Sequence, residues 1–128
     1  MPHETIWEPN GVCQKFRGVV SSPELFDALT EIRSDLRAGG LHYVIRDFLD
    51  VELFDVGVKT LLEGRALSMA IHEHNPDIVV AGVTTKPEII EVMRAASSYG
   101  LDAFPFRTFA SIAEARAWIA ESAGGRQP

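Results

Sequence analysis

Ile78-Val79-Val80-Ala81-Gly82-Val83, followed at once by Thr84-Thr85-Lys86-Pro87-Glu88, is the stretch on which the fold turns. The first six residues carry no polar side chain, so a strand made of them must be covered on both faces, as central parallel strands are. Thr85 and Glu88 then read as a capping box, with proline near the first helical position, so the chain leaves the strand directly into a helix. A doubly buried strand running into a helix is one half of a βα repeat, and the rest of the chain is tested against that unit.

Downstream, Ile89, Val92, Met93 and Ala96 continue the helical spacing, and Gly100 ends it. Phe104 to Phe109 follows as a strand, placed at a sheet edge by Pro105, which has no N–H for a second neighbour. Ser111-Ile112-Ala113-Glu114 is a second capping box, opening a helix through Ala115, Trp118 and Ile119. Residues 122–128 read as a flexible tail.

Upstream, Asn75-Pro76-Asp77 is a turn. Before it a helix carries Val58, Leu61, Leu62, Ala66, Met69 and Ala70 at three- and four-residue steps. A linking stretch with Asp50, Glu52 and Asp55 precedes that helix, after the strand Tyr43-Val44-Ile45-Arg46-Asp47-Phe48. Ser22-Pro23-Glu24 gives an N-cap, a first-turn proline and a first-turn acid to another helix, with Leu25, Leu29, Ile32 and Leu36 on one face. Gly39-Gly40 ends it. From Val12 to Val20 the even positions oppose Cys13, Lys15, Arg17 and Val19, a strand with one face better covered than the other. Thr5 to Trp7 is a short strand joined to it by Pro9-Asn10-Gly11. The order β-β-α-β-α-β-α-β-α predicts an α/β domain spanning residues 1–128, with a mostly parallel or mixed β-sheet of about five strands and four helices.

The 128 residues are 46% hydrophobic and 23% charged, the balance of a chain with a packed core. A net charge of -6 repels phosphate backbones and anionic headgroups, which argues against nucleic acid or a membrane surface as partner. Cys13 is the one cysteine, so no disulfide forms within the chain and a reducing, cytoplasmic compartment is expected. Met1-Pro2-His3-Glu4 does not read as a signal peptide, and no apolar run approaches the ~20 residues of a membrane span.

Ligands of open α/β sheets bind beyond the carboxyl ends of the strands, which gathers Asp47, Asp50, Asp55, Thr84, Thr85, Lys86 and Arg107 as candidates. The same residues serve equally well as caps, turns and a solvated acidic rim. A receiver-like magnesium site is not supported, because Ser21 and Ser22 stand where its acids would be. His72-Glu73-His74 with Asp77 lacks the spacing of a helical metal motif and reads as a solvated helix end, so no metal or other cofactor is expected. Arg65 interrupts an apolar stripe between Leu61, Leu62 and Ala66. Either its stem covers apolar surface while its head reaches water or an acid, or it holds an anion in a groove beneath the helix. Phe48, Phe54, Phe104, Phe106 and Trp118 are either core or the lining of a cavity for an apolar ligand.

The element order, the stretch from Tyr43 to Leu62, and the ending Phe109 through Ala115-Arg116-Ala117-Trp118-Ile119 resemble the STAS domain group, and within it the small SpoIIAA-like, or STAS/Sec14-like, bacterial proteins. Anti-sigma factor antagonists of that group carry a strand ending in Asp and then Asp-Ser-Ser-Gly, whose serine is phosphorylated. Asp47 and Asp55 match the acids, but Val56 stands where the phosphoserine would be. The resemblance implies a STAS-like, non-enzymatic interaction module without that switch, binding a protein partner. A symmetric homodimer is expected on separate grounds, since a sheet covered on one side has apolar surface to hide, with the strands Val12 to Val20 and Thr5 to Trp7 contributing. A carrier or sensor of a small apolar ligand is the alternative. An enzyme of unknown class would need convergent polar groups with shifted pKa values.

Overall fold

The computed structural model of the protein describes residues 3–98, 100 and 104–124. Among them run strands β1 (His3–Glu8), β2 (Gly11–Ser21), β3 (Tyr43–Asp55), β4 (Val79–Val83) and β5 (Phe106–Phe109). The helices are α1 (Ser22–Arg33), α2 (Val58–His72), α3 (Pro87–Ser98) and α4 (Ile112–Gly124), with a 3₁₀ turn at Leu36–Gly40. The sheet has the order β1-β2-β3-β4-β5. β1 is antiparallel to β2 and every other pairing is parallel, so the sheet is mixed; β5 lies at an edge as expected, although the strand starts at Phe106 and Pro105 precedes it.

Sequential order has a geometric consequence. Crossovers of one hand between successive parallel neighbours put their helices on one side of the sheet. α1, α2 and α3 accordingly share one face, where Phe16, Val20, Phe48 and Val51 meet Leu25, Ala28, Leu29 and Ile89. The opposite face is left to α4, whose Ala115 and Ile119 cover Cys13, Ile45, Ala81 and Val83. α2 lies close to α1, because a side chain at Gly64 would meet Leu29 Cδ1 at 2.9 Å. Gln14 is fully buried on the three-helix face, where its Nε2 donates to the Ala28 carbonyl at 2.8 Å and the Thr5 hydroxyl at 3.3 Å.

Several local expectations are corrected. The acidic stretch after Phe48 is not a linker: β3 continues to Asp55, paired with β2 through register shifts at Lys15/Arg17 and Gly18/Val19. β4 pairs only with Tyr43 to Asp47, so beyond that point β2 and β3 form a two-stranded ribbon whose charged side chains reach solvent. At α1 the cap position is Ser21, and Ser22 instead accepts a hydrogen bond from the Gly57 N–H at 2.9 Å, stitching the start of α1 to the start of α2. α1 stops at Arg33, and a separate turn is closed by Asp35, which accepts from the Arg37 backbone at 2.8 Å. At α3, Pro87 is the first helical residue and Thr84, not Thr85, makes the side-chain bond, accepting from the Lys86 N–H at 3.1 Å. The second capping box forms its forward bond, Glu114 N–H to Ser111 Oγ at 3.2 Å. The expected tail from residue 122 begins no earlier than the end of α4 at Gly124, and residues 125–128 lie outside the described residues.

Candidate functional site

The polar residues expected at the carboxyl ends of the strands do not converge. Asp47 is buried, and its Oδ1 accepts from the Leu49 N–H at 3.0 Å, shaping the irregular step in β3. Because β3 runs eight residues further, Asp55 is carried roughly 20 Å or more away along the strand and stands exposed. Asp50 pairs with Lys15 at 3.5 Å on the surface. Thr84 is buried in its turn with Lys86, while Thr85 is exposed. The Arg107 guanidinium lies over the rings of Phe109 and Trp118, 5.5 and 5.8 Å from their centres. No two of these groups are placed as an acid and a nucleophile would be.

Val56, the position matching the family's serine, precedes Gly57, the cap of α2. It is half-buried and packs against the core formed by Phe16, Phe48 and Val51. Cys13 is buried under α4. Burial, then the nearby negative charges of Asp47 and Glu8, push its thiol up to about 11, so it is protonated and unreactive at neutral pH. His72 ends α2 with its ring 5.3 Å from that of Phe104. Among the described residues no three His, Cys, Asp or Glu side chains are grouped to hold a metal ion.

The concavity with chemical character lies on the three-helix face. α2 leans on α1, and between α2 and α3 a slot of about 110 Å³ opens down to the sheet. Arg46, Phe48, Phe54, Val80 and Phe106 are its strand residues, Leu61, Arg65 and Ser68 belong to α2, and Val92, Met93 and Ala96 belong to α3. Arg65 spans the gap, its Nε donating to the Gly100 carbonyl just beyond α3 at 3.0 Å. Its head therefore reaches a backbone oxygen rather than an acid. Of the aromatic residues named from sequence, Phe48, Phe54, Phe104 and Phe106 line this slot, and Trp118 packs with Phe109 on the other face. Sequence reasoning missed Arg46. The signal was there, since Val44, Arg46 and Phe48 alternate onto the same side of β3, the side α2 and α3 cover.

A wider depression of about 370 Å³ lies at the amino ends of β3 and β4. Its polar centre is Asn75, whose amide donates to the carbonyls of Ala38, Gly39 and Leu41 at 3.3, 3.3 and 2.7 Å, a tie that fixes the 3₁₀ turn.

A solved structure with the same arrangement is that of an uncharacterized protein of the DUF3478 family from Shewanella loihica PV-4. It aligns over 91% of this chain and 91% of its own with a TM-score of 0.55 and 13% sequence identity, and it is described as having a SpoIIAA-like fold. The fold is SpoIIAA-like. No family model matches the sequence, and no curated protein matches it. On the SpoIIAA-like frame the slot and Val56 share the three-helix face, whereas the exposed pair Val19 and Leu53 lies on the face that α4 only partly covers. Among the described residues no helix is long and apolar enough to cross a membrane.

Proposed function

We propose that this chain is a non-enzymatic SpoIIAA-like interaction module, acting in the cytoplasm through protein contacts made by the uncovered face of the β2–β3 ribbon, the first of them with a second copy of itself. One observation carries the reading. Val19 and Leu53 are cross-strand partners, 52% and 55% exposed, and they point away from the core because their neighbours Val20 and Phe54 point into it. Ile6, 45% exposed, is a separate apolar position on β1, divided from that pair by the surface ion pairs Lys15–Asp50 and Arg17–Glu4. Exposed apolar surface on a half-covered sheet favours self-association about a two-fold axis. Asp47, Thr84 and Asp50 are engaged in a bulge, a turn and a surface pair, and Asp55 stands apart from them, which supports binding over catalysis. Val56 has no hydroxyl, so contact through this module is not switched by phosphate at that position.

Light scattering tests it. The expected mass at micromolar concentration is twice 14.1 kDa, returning to 14.1 kDa in Leu53→Asp with the far-ultraviolet spectrum unchanged. A wild-type mass of 14.1 kDa under those conditions sinks the self-association. The aromatic-lined slot supports a second reading, a carrier or sensor of a small apolar molecule.

A further inference from the structure

We infer that the slot between α2 and α3 receives a single aromatic ring of about benzene's size, held by the phenylalanine rings around it and the thioether of Met93. The inference rests on the second reading above and names the class of the ligand. The slot exists because two glycines seat the helices apart. A methyl group on Gly64 would lie 2.9 Å from Leu29 Cδ1, so glycine there lets α2 settle against α1. A methyl group on Gly82 of β4 would lie 3.0 Å from Phe106 Cζ and 3.1 Å from Met93 Sδ, so glycine there lets the Met93 side chain of α3 descend onto β4. α2 is thus drawn toward α1 and α3 toward β4, and the space left between them is about 110 Å³. That is comparable to the ~150 Å³ apolar cavity that accepts benzene, so one ring fits and a long acyl chain does not.

The walls favour an aromatic over an aliphatic guest. Phe48, Phe54, Phe104 and Phe106 all border the slot. Phe48 and Phe54 already meet edge to face, with ring centres 5.5 Å apart and planes at 79°. A ring entering beside them extends that arrangement. Such pairs gain beyond their buried area, because the positive edge of one ring faces the negative face of the next. Met93 adds a polarizable sulfur, which attracts the edge of a ring. Arg65 spans the gap with its Nε held on the Gly100 carbonyl at 3.0 Å, and a guanidinium fixed in this way can stack on a ring face. An aliphatic guest of the same size gains none of these contacts. Recognition is of the ring itself, whatever charge a substituent carries.

The test is titration of benzene into the isotopically labelled protein, followed by methyl and amide shifts, with cyclohexane as the aliphatic control. Apolar transfer alone favours cyclohexane, the more hydrophobic of the two, so the order of affinity separates ring recognition from simple burial. Saturable benzene binding is expected, about threefold or more tighter than cyclohexane. It should bring ring-current shifts of the Val92, Met93 and Ala96 methyl groups that cyclohexane does not produce. Met93→Leu, similar in volume but without the sulfur, should weaken benzene about threefold and leave cyclohexane unchanged. Ala96→Phe, which fills the slot from α3, should abolish both, and Val92→Phe serves the same purpose should the first variant not fold. Melting curves of each variant establish folding. Equal affinity for the two probes, or benzene binding indifferent to Met93→Leu, overturns the aromatic assignment while leaving the apolar-carrier reading intact. Benzene binding that survives a folded slot-filling variant places the ring elsewhere and overturns the slot as its site. No binding of either probe by a folded wild type overturns both the inference and the reading beneath it.

Discussion

Val56 shows how much one side chain decides. It is half-buried against Phe16, Phe48 and Val51, so Val56→Ser removes apolar contact but leaves the new hydroxyl within reach of water. The expected cost is about 1 kcal/mol, the transfer value of two partly buried methyl groups without an unpaired-polar penalty. Urea denaturation measures it, and a loss beyond about 3 kcal/mol would mean that the hydroxyl is enclosed. At this scale the sequence was informative wherever a residue broke its own pattern. Arg65 stood out because it interrupts an apolar stripe, and it lines the slot. Arg46 did not, because a strand that alternates between two covered faces tolerates one long side chain without any visible change of period. The slot itself has no sequence signature. It is a gap between α2 and α3, helices separated by β4, and spacing within either helix does not report their distance.

At the scale of elements, the ribbon beyond β4 rests on one backbone feature. Gly18 has φ +65°, in the left-handed region that residues with a Cβ seldom adopt, and it sits where the β2–β3 register shifts. No atom lies within 4 Å of where its Cβ would be, so substitution there is a conformational test free of steric clash. Gly18→Ala should destabilise by about 1 kcal/mol and Gly18→Asn by less, since asparagine enters that region more readily. Equal losses in thermal melts would show that the bulge has relaxed to ordinary strand geometry. This element also marks where sequence reading stopped. Asp50, Glu52 and Asp55 are residues that strands usually avoid, and a one-dimensional scan assigns them to a loop. They are tolerated because β4 pairs no further than Asp47, so Asp50, Glu52 and Asp55 are exposed. The fully apolar β4 was legible because both of its faces are covered.

For the whole molecule, the decisive fact is an imbalance: three helices serve one face of the sheet and α4 alone serves the other. A clasp holds that single helix in place. Arg116 on α4 donates two hydrogen bonds to Glu8 at the end of β1, at 3.0 and 2.7 Å, and the Tyr43 hydroxyl donates to the same carboxylate. The bonds from Arg116, and secondarily that from Tyr43, hold the Glu8 carboxyl below its ordinary 4.5. A depressed folded-state value stabilises the protein above the unfolded value, and the gain is lost as pH falls through the folded one. Stability should therefore decline below about pH 5. Glu8→Gln should flatten that part of the profile and cost about 1 kcal/mol at neutral pH, a modest figure because Arg116 is half exposed. Asp35, held down to about 2 by Arg37, contributes with the same sign at lower pH. Stability curves of both proteins from pH 7 to 3 check this, and an unchanged slope in Glu8→Gln would remove the clasp from the account.

The same clasp joins residues 108 apart in the chain, and that separation has meaning during synthesis. At about 5 to 20 residues per second, Glu8 is added to the chain some 5 to 20 s before Arg116. Throughout that interval the first hairpin has no α4 to lie beneath, and the side of β2 and β3 that this helix will cover is bare. Because α4 follows every strand it covers, the second core closes only once that helix is made, so a nascent chain stalled before it displays Cys13 and Ile45, residues that are buried in the fold.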